Sequence, residues 1–361
     1  METTHRLQAG YLHAITRQLL EAAGTPRHIA DEVTTILVKA NLAGHDSHGV
    51  LRVPAYLKAI AEGSLIPGAE PAITKETANI LFIDGRQGFG HYTASRGMAW
   101  CIERAKQDEV CCATFINTNH IGRLGEFAEA AARAGCIGMV TLGVGGGTRR
   151  ITAPYGTIAG SLSTNPIAVG IPTGDEIPFI LDFATSVVAE GKIQVARSKN
   201  LSLPPGYIID KQGNPTITPA DLYDGGFLLP FGGHKGSALS ILFTLLGGLS
   251  GNFDAANNGY MKGEFMQVFN IEAFLPLEEY QRGVRAFLNN IKVSPRASGV
   301  DEVLVPGDFE YKNRQERLAT GIEIPDTIYS QLQEWANKLD ISLGEDTAET
   351  GDIARYQSKP V

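Results

Sequence analysis

The chain has 361 residues, of which 43% are hydrophobic and 19% are charged, so its composition is that of a globular protein rather than a disordered one. Its formal net charge of -8, from 31 Lys and Arg against 39 Asp and Glu, argues against nucleic-acid binding, which needs a cationic face. No apolar run reaches the roughly 18 residues that span a bilayer, and the first residues lack the apolar core of a signal peptide. We therefore expect no nucleic-acid partner, no membrane partner and a cytoplasmic location.

Three helices are predicted within the first 65 residues. The second should run from Pro26, with Thr25 as its N-cap, to Gly44, and the third from Pro54 to Gly63. The polar connection between the second and third helices is therefore held by a packed helix at each end. A connection held in this way is a suitable place for chemistry.

From about residue 72, short β-rich runs alternate with helical ones. Strands are predicted at 80–83, 110–116, 137–142, 167–171, 179–183 and 265–274, and helices at 92–107, 124–134, 238–249 and 326–339. The turn-rich residues 172–176 predict a hairpin, so at least part of the sheet should be antiparallel. The helix at 238–249 is strongly apolar and should be buried, and the last helix should pack on the N-terminal helices.

The pattern indicates an α+β fold with two domains. Residues 1–72 with 305–345 should form a helical domain built from both chain ends. Residues 73–304 should form an α/β domain with a largely antiparallel or mixed sheet flanked by helices. Residues 346–361 read as a loosely ordered polar tail.

The most informative polar cluster lies in the connection between the second and third helices. It contains two imidazoles, a carboxylate, a hydroxyl and a guanidinium, namely His45, Asp46, Ser47, His48 and Arg52. Imidazole exchanges a proton near neutral pH, and a guanidinium binds a carboxylate bidentately, which would suit a small acid with a reactive carbonyl. Ser47 can orient His48. In the alternative interpretation, Asp46 or Ser47 caps the next turn and the histidines are solvated.

His120 is a second candidate acid or base, because it lies between a predicted strand and a helix, where side chains reach a crevice. The alternative is that Asn117 or Asn119 caps the helix and His120 is solvated. Thr185 or Ser186 is predicted to cap a following helix, whose free N–H groups would suit a phosphate or carboxylate.

Glycine-rich segments give only partial signals for nucleotide binding. Residues 88–93 lack the third glycine of a dinucleotide fingerprint, and residues 143–148 lack the helix that should follow, although they can form a mobile binding loop. Lys235 precedes an apolar helix without the spacing of a phosphate-binding loop. It can contact a cofactor phosphate or ribose, or it can be solvated.

The cysteines and histidines do not have the spacing of a metal site. Cys101, Cys111, Cys112 and Cys136 lie in apolar runs without a Cys-x-x-Cys pair and are expected to be reduced core residues. His45, His48, His120 and His234 are scattered. We expect no metal site and keep a metal-dependent hydrolase as a distant alternative.

Seven short motifs, taken in order, resemble the type 2 malate/L-lactate dehydrogenase family, and most of all its hydroxycarboxylate dehydrogenase branch. They are residues 46–49, 119–120, 164–166, 181–186, 203–206, 234–236 and 306–308. The resemblance extends over about residues 6–340. It implies NAD- or NADP-dependent reduction of 2-oxo acids, or alternatively of cyclic imino acids such as pyrroline- or piperideine-2-carboxylate, on a non-Rossmann fold that forms homodimers.

The resemblance also implies roles for individual residues. His48 would be the proton donor, acting as an imidazolium, with His120 near the reacting centre and Arg52 directed toward the substrate carboxylate. Residues 73–304 would form the cofactor-binding domain. The cofactor-contacting residues would be Asn165, Asp182, Ala184, Thr185, Ser186, His234, Lys235, Pro306, Gly307 and Asp308.

Overall fold

The computed structural model describes residues 4–148, 150–198, 200–344, 346 and 356. The helices of this part are α1 (Ala9–Ala22), α2 (Arg27–Leu42), α3 (Val53–Ala61), α4 (Gly90–Asp108), α5 (Gly125–Arg133), α6 (Glu190–Ser198), α7 (Pro219–Tyr223), α8 (His234–Gly247), α9 (Leu277–Lys292), α10 (Asp308–Thr320) and α11 (Asp326–Lys338). The strands are β1 (Thr4–Leu7), β2 (Ala72–Glu76), β3 (Ile80–Asp84), β4 (Val110–Ile116), β5 (Cys136–Gly145), β6 (Pro166–Ile171), β7 (Phe179–Ala184), β8 (Ile208–Ile209), β9 (Pro215–Thr216), β10 (Phe227–Leu228), β11 (Phe253–Asp254), β12 (Tyr260–Asn270) and β13 (Ile322–Pro325).

One large sheet has the strand order β2-β3-β4-β12-β5-β6-β7, with β11 paired to β12. Among its described strand pairs only β3–β4 is parallel, and the others are antiparallel. The prediction of a largely antiparallel or mixed sheet is confirmed, and so is the hairpin between β6 and β7. The strand predicted at 265–274 instead runs from Tyr260 to Asn270.

Helices cover both faces of this sheet, as the close approach of two glycines on β5 demonstrates. A Cβ on Gly138 would overlap Ala131 of α5, whereas a Cβ on Gly143 would overlap the backbone at Phe243 of α8. Because side chains alternate along a strand, these two positions lie on opposite faces. Helices α4 and α5 therefore cover one face of the sheet and α8 the other.

A separate apolar core joins the two ends of the chain. It contains buried side chains of α1, α2 and α3 together with Leu332 and Ala336 of α11. Strand β1 pairs with β13, which brings residues 4–7 alongside residues 322–325. The predicted packing of the last helix on the N-terminal helices is confirmed.

Two local predictions were wrong. Thr25 does not cap α2, because the helix begins at Arg27 and the Thr25 hydroxyl is buried without a hydrogen-bond partner among the described residues. Helix α8 is not buried, since Ile241 and Leu245 are 45% and 57% exposed. Of the predicted tail, only residues 346 and 356 are described, with Tyr356 buried against the helical core, and the remaining positions lie outside the described residues.

The cysteines were predicted to be reduced core residues. All four are free thiols and three of them are buried, in agreement with this prediction. Across the described ranges, no helix has the length and apolar character needed to cross a bilayer.

Candidate active site

Asn41 fixes the shape of the connection between α2 and α3, which forms two 3-10 turns at 46–48 and 50–52. Its Nδ2 donates to Asp46 Oδ1 (2.7 Å), and its Oδ1 accepts from the backbone N–H of Val50 (2.9 Å). A Cβ at Gly49 would overlap this amide, so glycine is required there. Arg317 of α10 binds both oxygens of Asp46, at 2.7 and 3.1 Å. Asp46 therefore anchors the connection to α10.

Ser47 contacts both His48 and Arg52, the candidate proton donor and the candidate carboxylate-binding residue of this connection. Its Oγ is 3.1 Å from His48 Nδ1, and its carbonyl accepts a hydrogen bond from Arg52 Nε (2.8 Å). Gly191, in the first turn of α6, packs against the Ser47 side chain. Ser47 thus contacts the His48 ring and does not cap a helix, and its orienting role stays a prediction.

His120 is held in place by a glycine contact and an asparagine. The side chain of Asn119 donates to the carbonyls of Gln87 (2.8 Å) and Gly88 (3.0 Å). A Cβ on Gly90 would overlap the carbonyl oxygens of Asn119 and His120. The incomplete fingerprint at 88–93 therefore packs against the His120 segment, and Asn119 does not cap α5.

The fold brings His48 and His120 together as nearly parallel rings. Their centroids are 5.7 Å apart and their planes differ by 15°. Tyr56 of α3 places its Oη 2.8 Å from His120 Nδ1. His91 of α4 lies edge-on to His120, with 5.8 Å between centroids, and is fully buried. Tyr56 and His91 are not among the residues predicted from the sequence, because Tyr56 lies in the pattern of a helix and His91 in that of a fingerprint.

All three imidazoles are shifted toward the neutral form. Burial and the nearby Arg52 lower the pKa of His48 to about 4, and burial with the neighbouring His48 lowers that of His91 to about 3. Part of His120 is exposed, but most of its ring is surrounded by protein. The resulting desolvation, together with the neighbouring His91, lowers the pKa of His120 well below its usual value. These shifts favour a neutral His48 in the free protein, and the role of its imidazolium stays a prediction.

Arg123 and Asp182 connect the His120 segment to β7. The Arg123 Nε lies 3.2 Å from Asp182 Oδ2, and this oxygen also accepts from the backbone N–H of Gly125 (2.8 Å). Burial raises the pKa of Asp182. Asp182 thus holds the start of α5, directly after the His120 segment.

Two of the predicted cofactor residues, Thr185 and Ser186, bond to carbonyl oxygens next to β7. Thr185 Oγ1 donates to the carbonyls of Thr164 and Asn165, both at 2.9 Å, and Ser186 Oγ donates to Val188 O at 2.9 Å. The prediction that either residue caps the following helix was wrong, because α6 begins at Glu190. The Thr185 hydroxyl instead joins the end of β7 to the residues just before β6, and the Ser186 hydroxyl bonds two residues further along the chain.

The side chain of Asn165 is also engaged within the protein. Its Oδ1 accepts from Val144 N (2.9 Å), and its Nδ2 donates to Ser240 and Thr244 of α8 at 2.9 to 3.1 Å. The residue adopts φ +34°, a value that asparagine tolerates better than most residues. Asn165 therefore fastens β6 and β5 to α8.

The N-terminus of α8 lies beside the end of β7. The backbone N–H of Phe231 donates to Thr185 O (3.0 Å), and Gly232 and Gly233 both have left-handed φ values. His234 and Lys235 follow on the exposed surface. Thr185, Ser186, His234 and Lys235 are thus brought to one place, together with Ala184 at the last position of β7.

Residues 306–308 lie at the opposite end of β7. Pro306 O accepts from Ile180 N (3.2 Å), and Ile180 is about 13 Å along the strand from Ala184. Asp308 is occupied by Lys292 Nζ (2.8 Å) and Val305 N (3.0 Å), and Gly307 has φ +104°. The structure therefore does not bring Pro306, Gly307 and Asp308 to the cluster at Ala184.

Only the second half of the glycine-rich segment 143–148 lies outside a strand. Strand β5 extends to Gly145, and Gly143 packs on α8. Arg150 donates from Nε to Gly146 O (2.9 Å) and lies over the Tyr260 ring. Arg149 lies outside the described residues.

The four scattered histidines have different neighbours. His45 Nε2 is 3.0 Å from Glu310 Oε1, and His234 lies edge-on to Tyr155, whereas His48 and His120 stack on each other. In the described part of the chain, no group of three or more His, Cys, Asp or Glu side chains is arranged to hold a metal ion.

The sequence model described as malate/L-lactate dehydrogenase matches residues 7–333. Hydroxycarboxylate dehydrogenase B of Escherichia coli O157:H7 is 34% identical over 334 residues, 90% of this chain and 91% of that protein. The sulfolactate dehydrogenase structure from Methanocaldococcus jannaschii superimposes with a TM-score of 0.85 at 32% identity, covering 94% of this chain and 98% of that one. The delta1-piperideine-2-carboxylate reductase structure from Pseudomonas syringae pv. tomato has a TM-score of 0.79 at 28% identity, covering 92% and 100%. The chain belongs to the malate/L-lactate dehydrogenase family.

Proposed function

We propose that this protein is an NAD(P)-dependent oxidoreductase that interconverts a 2-oxo acid and the corresponding 2-hydroxy acid. The observation that carries this proposal is the stacked pair His48 and His120, with its rings 5.7 Å apart and Arg52 in the same connection as His48. A substrate of this class needs one cation for its carboxylate and a proton exchanger for its C2 oxygen. The relatives of this protein include a sulfolactate dehydrogenase and a hydroxycarboxylate dehydrogenase, which supports the proposal.

Arg52 is the proposed binding group for the substrate carboxylate. Its Nε is held by Ser47 O at 2.8 Å, and none of the described residues accepts a hydrogen bond from its two terminal nitrogens. Because the side chain is exposed, this terminal fork is available to a ligand. An arginine held at one nitrogen with the other two open suits bidentate binding of a planar carboxylate.

His48 is the proposed proton exchanger. As a neutral imidazole, with a pKa lowered to about 4, it can accept the hydroxyl proton of a 2-hydroxy acid. In the reverse direction it must first be protonated, and a carboxylate bound at Arg52 would offset the positive charge that lowers its pKa.

The nicotinamide cofactor, NAD or NADP, would supply or accept the hydride at C2 of the substrate. The fit of this chain to such a group depends on the region around Ala184, Thr185, His234 and Lys235. Gly232 and Gly233 leave the backbone there without side chains, next to two exposed basic residues at the start of a 14-residue helix. The backbone N–H groups of Lys235, Gly236 and Ser237 bond to backbone carbonyls, so the exposed side chain of Lys235 is the group here that suits a phosphate.

Reduction of a cyclic imino acid is the second candidate. It is supported by the similarity to the piperideine-2-carboxylate reductase, with a TM-score of 0.79. The same arginine would bind the carboxylate, but the reaction would not need a proton on a carbonyl oxygen. A variant without the His48 imidazole should therefore retain more activity on an imine than on an oxo acid.

The direct test is a substrate panel. NADH and NADPH oxidation would be followed at 340 nm with pyruvate, oxaloacetate, phenylpyruvate, sulfopyruvate and a cyclic imino acid, each with and without a chelator. Turnover of one or more oxo acids that the chelator does not inhibit would support the proposal. Turnover of the imine alone would favour the second candidate. Loss of the turnover with the chelator would contradict the metal-free mechanism, and silence with both cofactors would favour a small-molecule binder or a metal-dependent hydrolase.

We expect an unusual pH profile for oxo acid reduction. Because the pKa of His48 is about 4, the protonated fraction in the free enzyme should fall tenfold per pH unit above pH 5. The measurement is kcat/KM for the best oxo acid from pH 5.5 to 8. A continuous decline is expected, whereas a plateau below about pH 6 would indicate a histidine with an ordinary pKa.

We also propose that the chain forms a homodimer through α8. Ile241, Leu245 and Leu249 follow one another at helical spacing and are 45 to 57% exposed. An apolar stripe of this kind is typical of a subunit interface. Light scattering should give about twice the chain mass of 38.7 kDa, and Leu245→Glu should give a monomer, whereas Lys58→Glu on the exposed surface of α3 should not. A monomeric wild-type protein would contradict the proposal.

A further inference from the structure

We propose that Tyr56 is a positioning residue that fixes the tautomer and orientation of His120. The neutral ring of His120 then carries its proton on Nε2 and can donate a hydrogen bond from this N–H to a ligand. His48 then exchanges the proton, and His120 only holds the reacting oxygen. The identity of that oxygen, the C2 oxygen of the substrate, rests on the proposed function. The tautomer is a property of the free protein.

The contacts of Tyr56 determine the direction of its hydrogen bond. Its Oη lies 2.8 Å from His120 Nδ1, and within the described ranges no other group forms a hydrogen bond with this hydroxyl. The side chain is buried, and burial raises its pKa, so the phenol keeps its proton. A buried hydroxyl that does not donate loses a hydrogen bond at full desolvation cost. Tyr56 therefore donates to Nδ1, and the neutral ring of His120 carries its proton on Nε2.

The surrounding rings prevent Tyr56 and His120 from turning away from each other. The centroid of the His91 ring lies 5.4 Å from that of Tyr56 and 5.8 Å from that of His120, and the Phe89 and Tyr56 centroids are 6.1 Å apart. A Cβ on Gly122, at φ +78°, would overlap His91 Nε2. Neither ring nitrogen of His91 has a hydrogen-bond partner among the described residues, so its contribution here is to fill space.

The two stacked histidines therefore differ in what they can do. His48 Nδ1 faces the Ser47 hydroxyl at 3.1 Å, and this half-buried group can turn to accept when His48 is protonated. Protonation of His120 would instead place an N–H opposite the Tyr56 O–H, which would have to turn into apolar surroundings. The arrangement separates the group that exchanges a proton from the group that donates a hydrogen bond.

The tautomer can be measured without substrate. In protein labelled with ¹⁵N at histidine, the two ring nitrogens of each neutral imidazole give different shifts for N–H and bare nitrogen, and His120→Gln identifies the signals of His120. We expect His120 as the Nε2–H tautomer in the wild type and a mixture in Tyr56→Phe. Tyr92→Phe is the matched control, because it removes the hydroxyl of another buried tyrosine, which bonds to Glu70 and not to His120. A wild-type Nδ1–H signal, or an unchanged spectrum in Tyr56→Phe, would overturn the inference.

Kinetics then separate positioning from a purely structural effect. Tyr56→Phe keeps the ring packing, so we expect kcat to fall about 10- to 100-fold while KM for the oxo acid and Kd for the cofactor stay within twofold. Tyr92→Phe should leave all three unchanged. Equal losses in kcat and cofactor affinity would overturn the positioning role. If the substrate panel is silent but the Nε2–H signal depends on Tyr56, the tautomer assignment stands and the proposed activity fails.

Discussion

Replacement of His48 by asparagine is expected to lower kcat for oxo acid reduction by about 10²- to 10⁴-fold, the usual contribution of general acid-base catalysis. Asparagine retains a polar group beside Ser47 but cannot exchange a proton. The Kd of the reduced cofactor, measured by fluorescence titration, should not change, because the proposed cofactor residues lie near Lys235 on another element.

The matched control for this variant is His28→Asn. His28 is exposed and bonds to Glu70 at 2.7 Å, so its replacement should leave kcat within twofold. If His48→Asn has the same kcat as the wild type, His48 is not the proton exchanger.

Replacement of Arg52 by lysine should raise KM for the oxo acid by about 10- to 150-fold, the effect of losing one charged bidentate hydrogen bond. Lysine keeps the charge but lacks the planar fork, and it also loses the Nε contact with Ser47 O. The measurement is steady-state kinetics with the best oxo acid, together with the Kd of a non-reactive dicarboxylate.

Arg27→Lys is the control for this prediction, because Arg27 is 78% exposed and far along α2 from the polar connection. An Arg52→Lys enzyme with an unchanged KM would show that another cation binds the carboxylate. Arg150 would then be the first to test, with Arg149 beside it in the sequence.

Much of the secondary structure could be predicted from local patterns, whereas the order of strands could not. The hairpin of β6 and β7 follows from a turn-rich segment of five residues between two apolar runs. Strand β12, by contrast, lies between β4 and β5, although many residues separate it from both in the sequence. Nothing in its composition specifies those neighbours, because the pairing depends on faces that form only in the folded protein.

The site shows the same division between local and long-range information. Ser47, His48 and Arg52 could be found because they are polar side chains within six residues of one another, and His120 because it lies between a predicted strand and a helix. Tyr56 and His91 could not, because a tyrosine on an apolar helix face and a histidine next to glycine have no distinguishing pattern. Their contacts with His120 join α3 and α4 to the segment that follows β4, and these parts of the chain meet only in the folded protein.

The position of β12 also has a consequence for synthesis of the chain. Strands β4 and β5 are synthesised first. Strand β12, which pairs with both, begins only at Tyr260, more than 100 residues after Gly145. At the usual rate of about 5 to 20 residues per second, this delay is roughly 5 to 20 s. During that time two central strands have unpaired edges and could pair directly with each other or with another chain. We therefore expect nascent chains that end before residue 260 to be the species that chaperones bind and that aggregates contain.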